Sequence, residues 1–385
     1  MILIQQCDVY APDHLGKKDV LVGGEKILAV RDKIEPPSGT DTEVIDGNGL
    51  ILVPGLIDAH VHIAGAGGEG GPATRTPELK LSQMLKGGVT TVVGCLGTDG
   101  LTRSIQSVLM KVKSLRQEGV SAWMYTGAYQ VPTPTLLGDV GKDIAMIEEV
   151  IGAGEIALSD HRSSHPTTDE LIRIVSQARV GGMLGGKAGI VNIHMGDAKD
   201  PFRPIYEAVE NSELNFKQFF PTHCNRNHSI FEEAKTYGKK GYIDLTSSSY
   251  PYFPEYEIKP SKAIKEWLEA GVPLDHITMT SDACGSLPHF DEKGELVKLE
   301  MGYPDSLLRE IRDAVLKEKL PMERVIRIVT SNVAGILKLK NKGRIREGSD
   351  ADLLLLNKDL KMIHLWARGQ WMIKDREIIR RGNYE

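Results

Sequence analysis

Residues 56–63 read LIDAHVHI, an apolar run that carries two histidines two positions apart. Alternate side chains of an extended strand share a face, so His60 and His62 point the same way. Seven more apolar segments of strand type follow, at 89–95, 121–128, 155–161, 190–195, 219–224, 242–247 and 277–282. Stretches with helical spacing separate them; in 101–119, Ile105, Leu109, Val112 and Leu115 mark one face. This alternation predicts an α/β fold, a (β/α)8 TIM-like barrel rather than a doubly wound sheet. In such a barrel the two histidines lie near the C-terminal end of the first strand and face the mouth, where barrel enzymes carry their chemistry.

Outward from the barrel the pattern changes. DVLVGGEKILAVR, residues 19–31, is two β-branched runs around a Gly-Gly turn, a hairpin signal. TEVIDGNGLILVPG repeats that pattern, and DADLLLLNKDLKMIHLWARGQWMIKDREII supplies further short strands after residue 350. The expected organisation is therefore a small β-sandwich domain from 1–52 plus 340–385, interrupted by the barrel at 53–339. The 385 residues give ample length for a real core.

Composition narrows the function classes. A formal net charge of -5, with no Lys/Arg block, argues against a nucleic-acid partner. No apolar run approaches the ~18 residues of a membrane span, and the first residues turn polar at Gln5, too soon for a signal peptide. The four cysteines, Cys7, Cys95, Cys224 and Cys284, are scattered without a C-x-x-C pair, which fits a reducing cytoplasm.

Later strands end in polar residues of ligand type. His194 closes IVNIH, His223 closes FFPTH, Asp282 closes ITMTSD, and Glu155 opens the fourth expected strand, EIALSDH. Four imidazoles and two carboxylates projected toward one mouth suit two borderline divalent cations such as zinc. Two such ions would lower the pKa of a bridging water and polarise a carbonyl, which predicts metal-assisted hydrolysis of an amide or ester by a metal-bridging hydroxide. Asp282 is then the general base for that water and the general acid for the leaving amine.

PGLIDAHVHI, one histidine on each later strand, TSD at Asp282 and the closing GRIREGSDADLLLL together resemble the amidohydrolase superfamily. Within it, GAGGEGGPATRTPE, VVGCLGTDG, MYTGAYQVPT, SDHRSSHP and THCNRN resemble the isoaspartyl dipeptidases over nearly the whole chain. The resemblance implies a dipeptide substrate joined through the β-carboxyl of aspartate, of the kind left when proteins damaged at Asn or Asp are degraded. By the same resemblance Glu69 grips the substrate's α-amino group, while Gly67 and Thr98 hold the amine and α-carboxylate end. Arg162 and Arg226 take the two carboxylates as bidentate forks. Tyr129 stabilises the developing oxyanion, and Ser286 contacts substrate. It also suggests a homo-oligomer.

One position departs from the family. Better known members carry a lysine at the start of the fourth strand, carboxylated to bridge the metals, whereas this chain has Glu155 in GAGEIALSD. A glutamate can bridge without modification, so metal loading is expected to be independent of bicarbonate; without that bridge a one-metal site is possible. Lys187 lies too far from the strand to substitute. Two other readings stand beside the dipeptidase. A cyclic amidase of dihydroorotase or hydantoinase type shares the ligands, but not the Arg pair or the Glu69 loop. A non-catalytic assembly protein on the same fold would be expected to have lost ligands. Residues 283–305, long and punctuated by Gly and Pro, have the character of a substrate lid.

Overall fold

The computed structural model describes residues 1–291 and 295–385. Six strands pair in parallel, in chain order, from Leu56–Val61 through Val89–Gly94, Ser121–Thr126, Val150–Leu158 and Ile190–Met195 to Phe219–Thr222. Ile243–Thr246 and Ile277–Thr280 pair in parallel with each other. Backbone bonds at the C-terminal rim close the curled sheet. Cys224 N donates to Asp244 O at 3.0 Å, Asp282 N to His60 O at 3.1 Å and His62 N to Ala283 O at 2.9 Å. The expected barrel is therefore present, and its strands are buried on both faces, as a parallel sheet covered by helices requires.

The helices follow from their ends as much as from their faces. In Ile105–Gln117 the side chain of Ser104 accepts from Ser107 N, and Ile105, Val108, Val112 and Leu115 are buried. Thr168–Gly185 starts at a reciprocal Thr167/Glu170 capping box and ends at Gly186, whose φ of 65° only glycine adopts readily.

The fourth strand differs from expectation. It runs from Val150, not Glu155, and stops at Leu158. Its opening VIGAG resembles a loop in sequence because of the two glycines, yet both are demanded by packing. A Cβ at Gly152 would lie 2.5 Å from Ile190 O, and one at Gly154, where φ is +144°, would lie 2.8 Å from Asn192. Glu155 thus sits in the second half of the strand, and the side chain of His161, expected to end it, is 88% exposed on the following loop.

Both chain ends enter one nine-stranded sheet, in which Leu353–Leu356 pairs antiparallel with Ile51–Pro54. The 19–31 hairpin forms as expected. Glu43–Asp46 and Ile51–Pro54, however, do not pair with each other; both run parallel to Ile2–Tyr10, which shifts register between Ile4 and Cys7 at the left-handed Gln6. Along Leu353–Leu356 the two-residue alternation divides the side chains between cores. Leu353 and Leu355 join Ile4, Val20, Ile27 and Trp366 inside the terminal sheet, whereas Leu354 and Leu356 pack into the barrel's core. After the eighth barrel strand, Ser286–Phe290 and Leu296–Met301 form an antiparallel hairpin within the segment expected as a lid. Residues 292–294 of that segment lie outside the described residues.

Candidate metal centre and substrate cavity

Six side chains that are far apart in sequence converge at the C-terminal rim. His60 and His62 share one face of the first strand, as their spacing requires. Glu155 reaches in from the fourth strand and divides its oxygens between two groups. Its Oε2 lies 3.5 Å from His60 Nε2 and 3.7 Å from His62 Nε2. Its Oε1 lies 2.9 Å from His194 Nδ1 and 3.1 Å from His223 Nε2. Asp282 Oδ1 completes the first group, 3.0 Å from His62 Nε2 and 3.5 Å from His60 Nε2. His223 and Asp282 each follow a strand end and adopt left-handed backbone, with φ of 60° and 55°. Such conformations concentrate where a side chain must be aimed against the backbone's preference.

The open valences of this cluster fit divalent cations. His60 Nε2, Glu155 Oε2 and Asp282 Oδ1 are buried and have no hydrogen-bond partner. Orphaned buried acceptors are costly, and three aimed at one point are the donor set of a cation. His60, His62, Cys95 and Glu155 could hold one ion, and Glu155, His194 and His223 another. The remaining ring nitrogens are already held: His60 Nδ1 lies 3.0 Å from Asn192 Oδ1, and His223 Nδ1 lies 2.6 Å from Thr246 Oγ1. These partners leave the Nε2 lone pairs for a metal. Burial works against both carboxylates, but neighbouring imidazoles outweigh it. Asp282 is held down to about 2 by the imidazoles beside it, His62 foremost, and Glu155 well below the usual range by His60, His194 and His223. Both stay ionised, as ligands must be.

Above this cluster opens a cavity of about 510 Å³, within the usual range for a small ligand. Glu69, Thr98, Tyr129, Arg162, Arg226 and Ser286 all line it. Gly67 does not; it is buried behind Ser286, paired as a β-bridge with Arg75. Tyr129 OH lies 2.6 Å from His194 Nδ1, and burial pushes the phenol well above its ordinary pKa, so it stays a neutral donor. Glu69 Oε1 is 3.4 Å from Arg162 Nη1, and its Oε2 is buried without a partner.

Several residues here escaped the sequence reading. Asp160 is the chief one. It accepts from Arg162 Nε and Nη2, each at 2.9 Å, lies 2.9 Å from His194 Nε2 and sits 3.6 Å from Arg226 Nη1. It therefore ties both guanidinium groups to a candidate ligand and orders Arg162. Asn192, Thr246 and Cys95 were missed too; Cys95 Sγ lies 3.8 Å from His62 Nδ1. The only available signal was proximity in sequence: Asp160 stands two before Arg162, Asn192 two before His194 and Cys95 two before Gly97, which has no room for a Cβ beside His62. Cys224 and Cys284 are buried, and burial pushes the Cys284 thiol up to about 12.

Residues 192–372 match the amidohydrolase family. The chain is 43% identical to a β-aspartyl dipeptidase of Fervidobacterium islandicum solved with the dipeptide β-Asp-Leu, with a TM-score of 0.91 over 98% of each chain. A D-hydantoinase (dihydropyrimidinase) from Thermus shares the fold at 17% identity, TM-score 0.69, over 100% of this chain and 98% of that one. A dihydroorotase of Elusimicrobium minutum is 24% identical over 94% of this chain and 89% of its own.

Proposed function

The chain belongs to the amidohydrolase superfamily, in its β-aspartyl dipeptidase family, and from that membership we propose that it hydrolyses the isoaspartyl peptide bond of dipeptides at a two-cation centre. The observation that carries this reading is the divided carboxylate of Glu155, one oxygen toward each group of open donors, beneath a cavity lined by Glu69 and two arginines. His60, His62, Glu155 and Asp282 would hold one ion, and Glu155, His194 and His223 the other. Zinc suits a set this rich in imidazole. Two such cations would activate a water near neutral pH and polarise the scissile carbonyl.

The chain's own side chains do the rest. Glu69, with an open Oε2, receives the substrate's ammonium. Arg162 and Arg226 receive its two carboxylates, Arg162 with its guanidinium already aligned by Asp160. Thr98 and Ser286 orient the amine and carboxylate end from the cavity wall, with Gly67 shaping the loop behind them. Tyr129 donates its hydroxyl to the carbonyl oxygen as charge develops there. Asp282, ionised, takes the proton of the attacking water and returns it to the leaving amine. The same reading takes 1–52 with 340–385 as a β-sandwich domain around its own core, and 53–339 as the hydrolase barrel. It also takes the protein as cytoplasmic, in keeping with four free buried thiols, and as a homo-oligomer.

A cyclic amidase is the second reading, favoured by the dihydroorotase relatives. The deciding experiment follows leucine release by zinc-loaded protein from β-Asp-Leu and α-Asp-Leu, with dihydroorotate in parallel. Selective cleavage of the β-linked peptide is expected. Turnover of dihydroorotate and neither peptide would overturn the dipeptidase reading.

A further inference from the structure

Around the barrel mouth, the loops after the first four strands carry Glu69, Thr98, Tyr129 and Arg162. The segments after the seventh and eighth strands face them, and contribute Ser249, Phe253, Glu257, Leu287 and Pro288 to the same cavity. The first wall is committed, in the function proposed above, to the substrate's ammonium, one of its carboxylates and the scissile carbonyl. On the second only Ser286 has an assigned task; Ser249, Phe253, Glu257, Leu287 and Pro288 have none.

Glu257 is the unusual member of that second wall. It is half-buried, and its Oε2 accepts from Ser249 Oγ at 2.7 Å. Among the described residues no Lys, Arg or His lies within ion-pair distance of it. Burial pushes its carboxyl up to about 7, and Asp282 and Asp197 push the same way; the hydrogen bond from Ser249 and, next, Arg226 oppose them. The fold gains little from a half-buried carboxylate without a cation, so its place on a cavity wall is better accounted for by a ligand. The surface beside it is apolar: Leu287 is buried, and the ring of Phe253 is fixed by stacking on His289, with centroids 4.6 Å apart and planes 23° off parallel.

We propose that this wall is the subsite for the side chain of the residue released by hydrolysis, and that Glu257 makes it select basic or hydrogen-bond-donating side chains over acidic ones. The inference rests on the dipeptidase reading and deepens it. A lysine or arginine side chain fits both halves of the wall, its methylene stem against Phe253, Leu287 and Pro288 and its charged end at Glu257. A glutamate in the same place would meet Glu257 and Asp197, and like charges brought together in a partly desolvated site are a strong means of exclusion.

The experiment compares kcat/KM for β-Asp-Lys, β-Asp-Glu and β-Asp-Leu in the zinc-loaded wild type, Glu257→Gln and Glu257→Lys. The wild type is expected to favour β-Asp-Lys over β-Asp-Glu by about 10-fold or more, chiefly through KM. Glu257→Gln should shrink that ratio by about 10-fold, and Glu257→Lys should invert it. A residue that merely supports the fold would lower all three substrates together and leave the ratio alone. Cleavage of β-Asp-Leu without discrimination between Lys and Glu overturns this inference and spares the dipeptidase. The wild type's own ratio delivers that result even where a variant fails to fold. No cleavage of β-Asp-Leu at all removes the reading beneath it and this inference together.

Discussion

The two ends of the barrel both bury charge, but they do so in opposite ways. At the N-terminal end, Lys342 Nζ donates to Ser121 Oγ and Asp352 Oδ2, each at 2.6 Å, and lies 2.8 Å from Asp350 Oδ2. Three donors meet three acceptors, and Lys26 adds a second cation to Asp350 at 2.6 Å. Burial alone would lower the ammonium's pKa, but Asp352 and Asp350 outweigh it and keep Lys342 charged. At the mouth the balance is left open, with His60 Nε2, Glu155 Oε2 and Asp282 Oδ1 all unpartnered. A buried cluster whose valences close on themselves holds a structure together. One whose valences stay open is waiting for something from outside the chain.

The contrast can be broken or sharpened by substitution. The largest effect is expected for Asp282→Asn, which keeps the shape but removes the proton acceptor; peptide hydrolysis should fall by about 10⁴-fold with little change in thermal midpoint. An unchanged rate would remove Asp282 from the chemistry. Next, Lys342→Met should cost about 3–5 kcal/mol of stability by stranding Asp352, measured by denaturant unfolding, while zinc content stays at the wild-type level. Loss of zinc in that variant would erase the distinction between the two ends. Tyr129→Phe should lower kcat by about 10²-fold, with bound metal unchanged as read by elemental analysis. The smallest effect is assigned to Asn192→Ala, which frees the His60 ring and should weaken metal affinity about 10-fold in chelator competition. A variant that held metal as tightly as wild type would show that the ring is fixed by packing alone.

The barrel was legible because strands buried on both faces make every polar residue in them conspicuous. His60, His62, His194, His223 and Asp282 stood out for that reason, and all converge on one rim. The start of the fourth strand was misread because Gly152 and Gly154 look like a turn until Ile190 and Asn192 are seen lying against them. Asp160 and Glu257 were invisible for a related reason. Each sits on a loop, where a carboxylate is ordinary, and gains meaning only from what the fold sets against it: His194 of another strand for Asp160, and Ser249 of the same loop with the facing wall for Glu257. The second pair of short strands misled for want of length. Four residues each, they gain more from lying along Ile2–Tyr10 than from pairing with each other.

The pairing of Leu353–Leu356 with Ile51–Pro54 has a bearing on how the molecule is made. On the ribosome the segment up to Pro54 is complete long before its partner exists, and the whole barrel is synthesised in between. Until residue 353 emerges, Ile51–Pro54 presents an open strand edge, and the barrel lacks the two leucines, Leu354 and Leu356, that the returning strand drives into its core. The nascent chain therefore carries that open edge into the last stage of its synthesis, and the returning strand Leu353–Leu356 closes both units in one step.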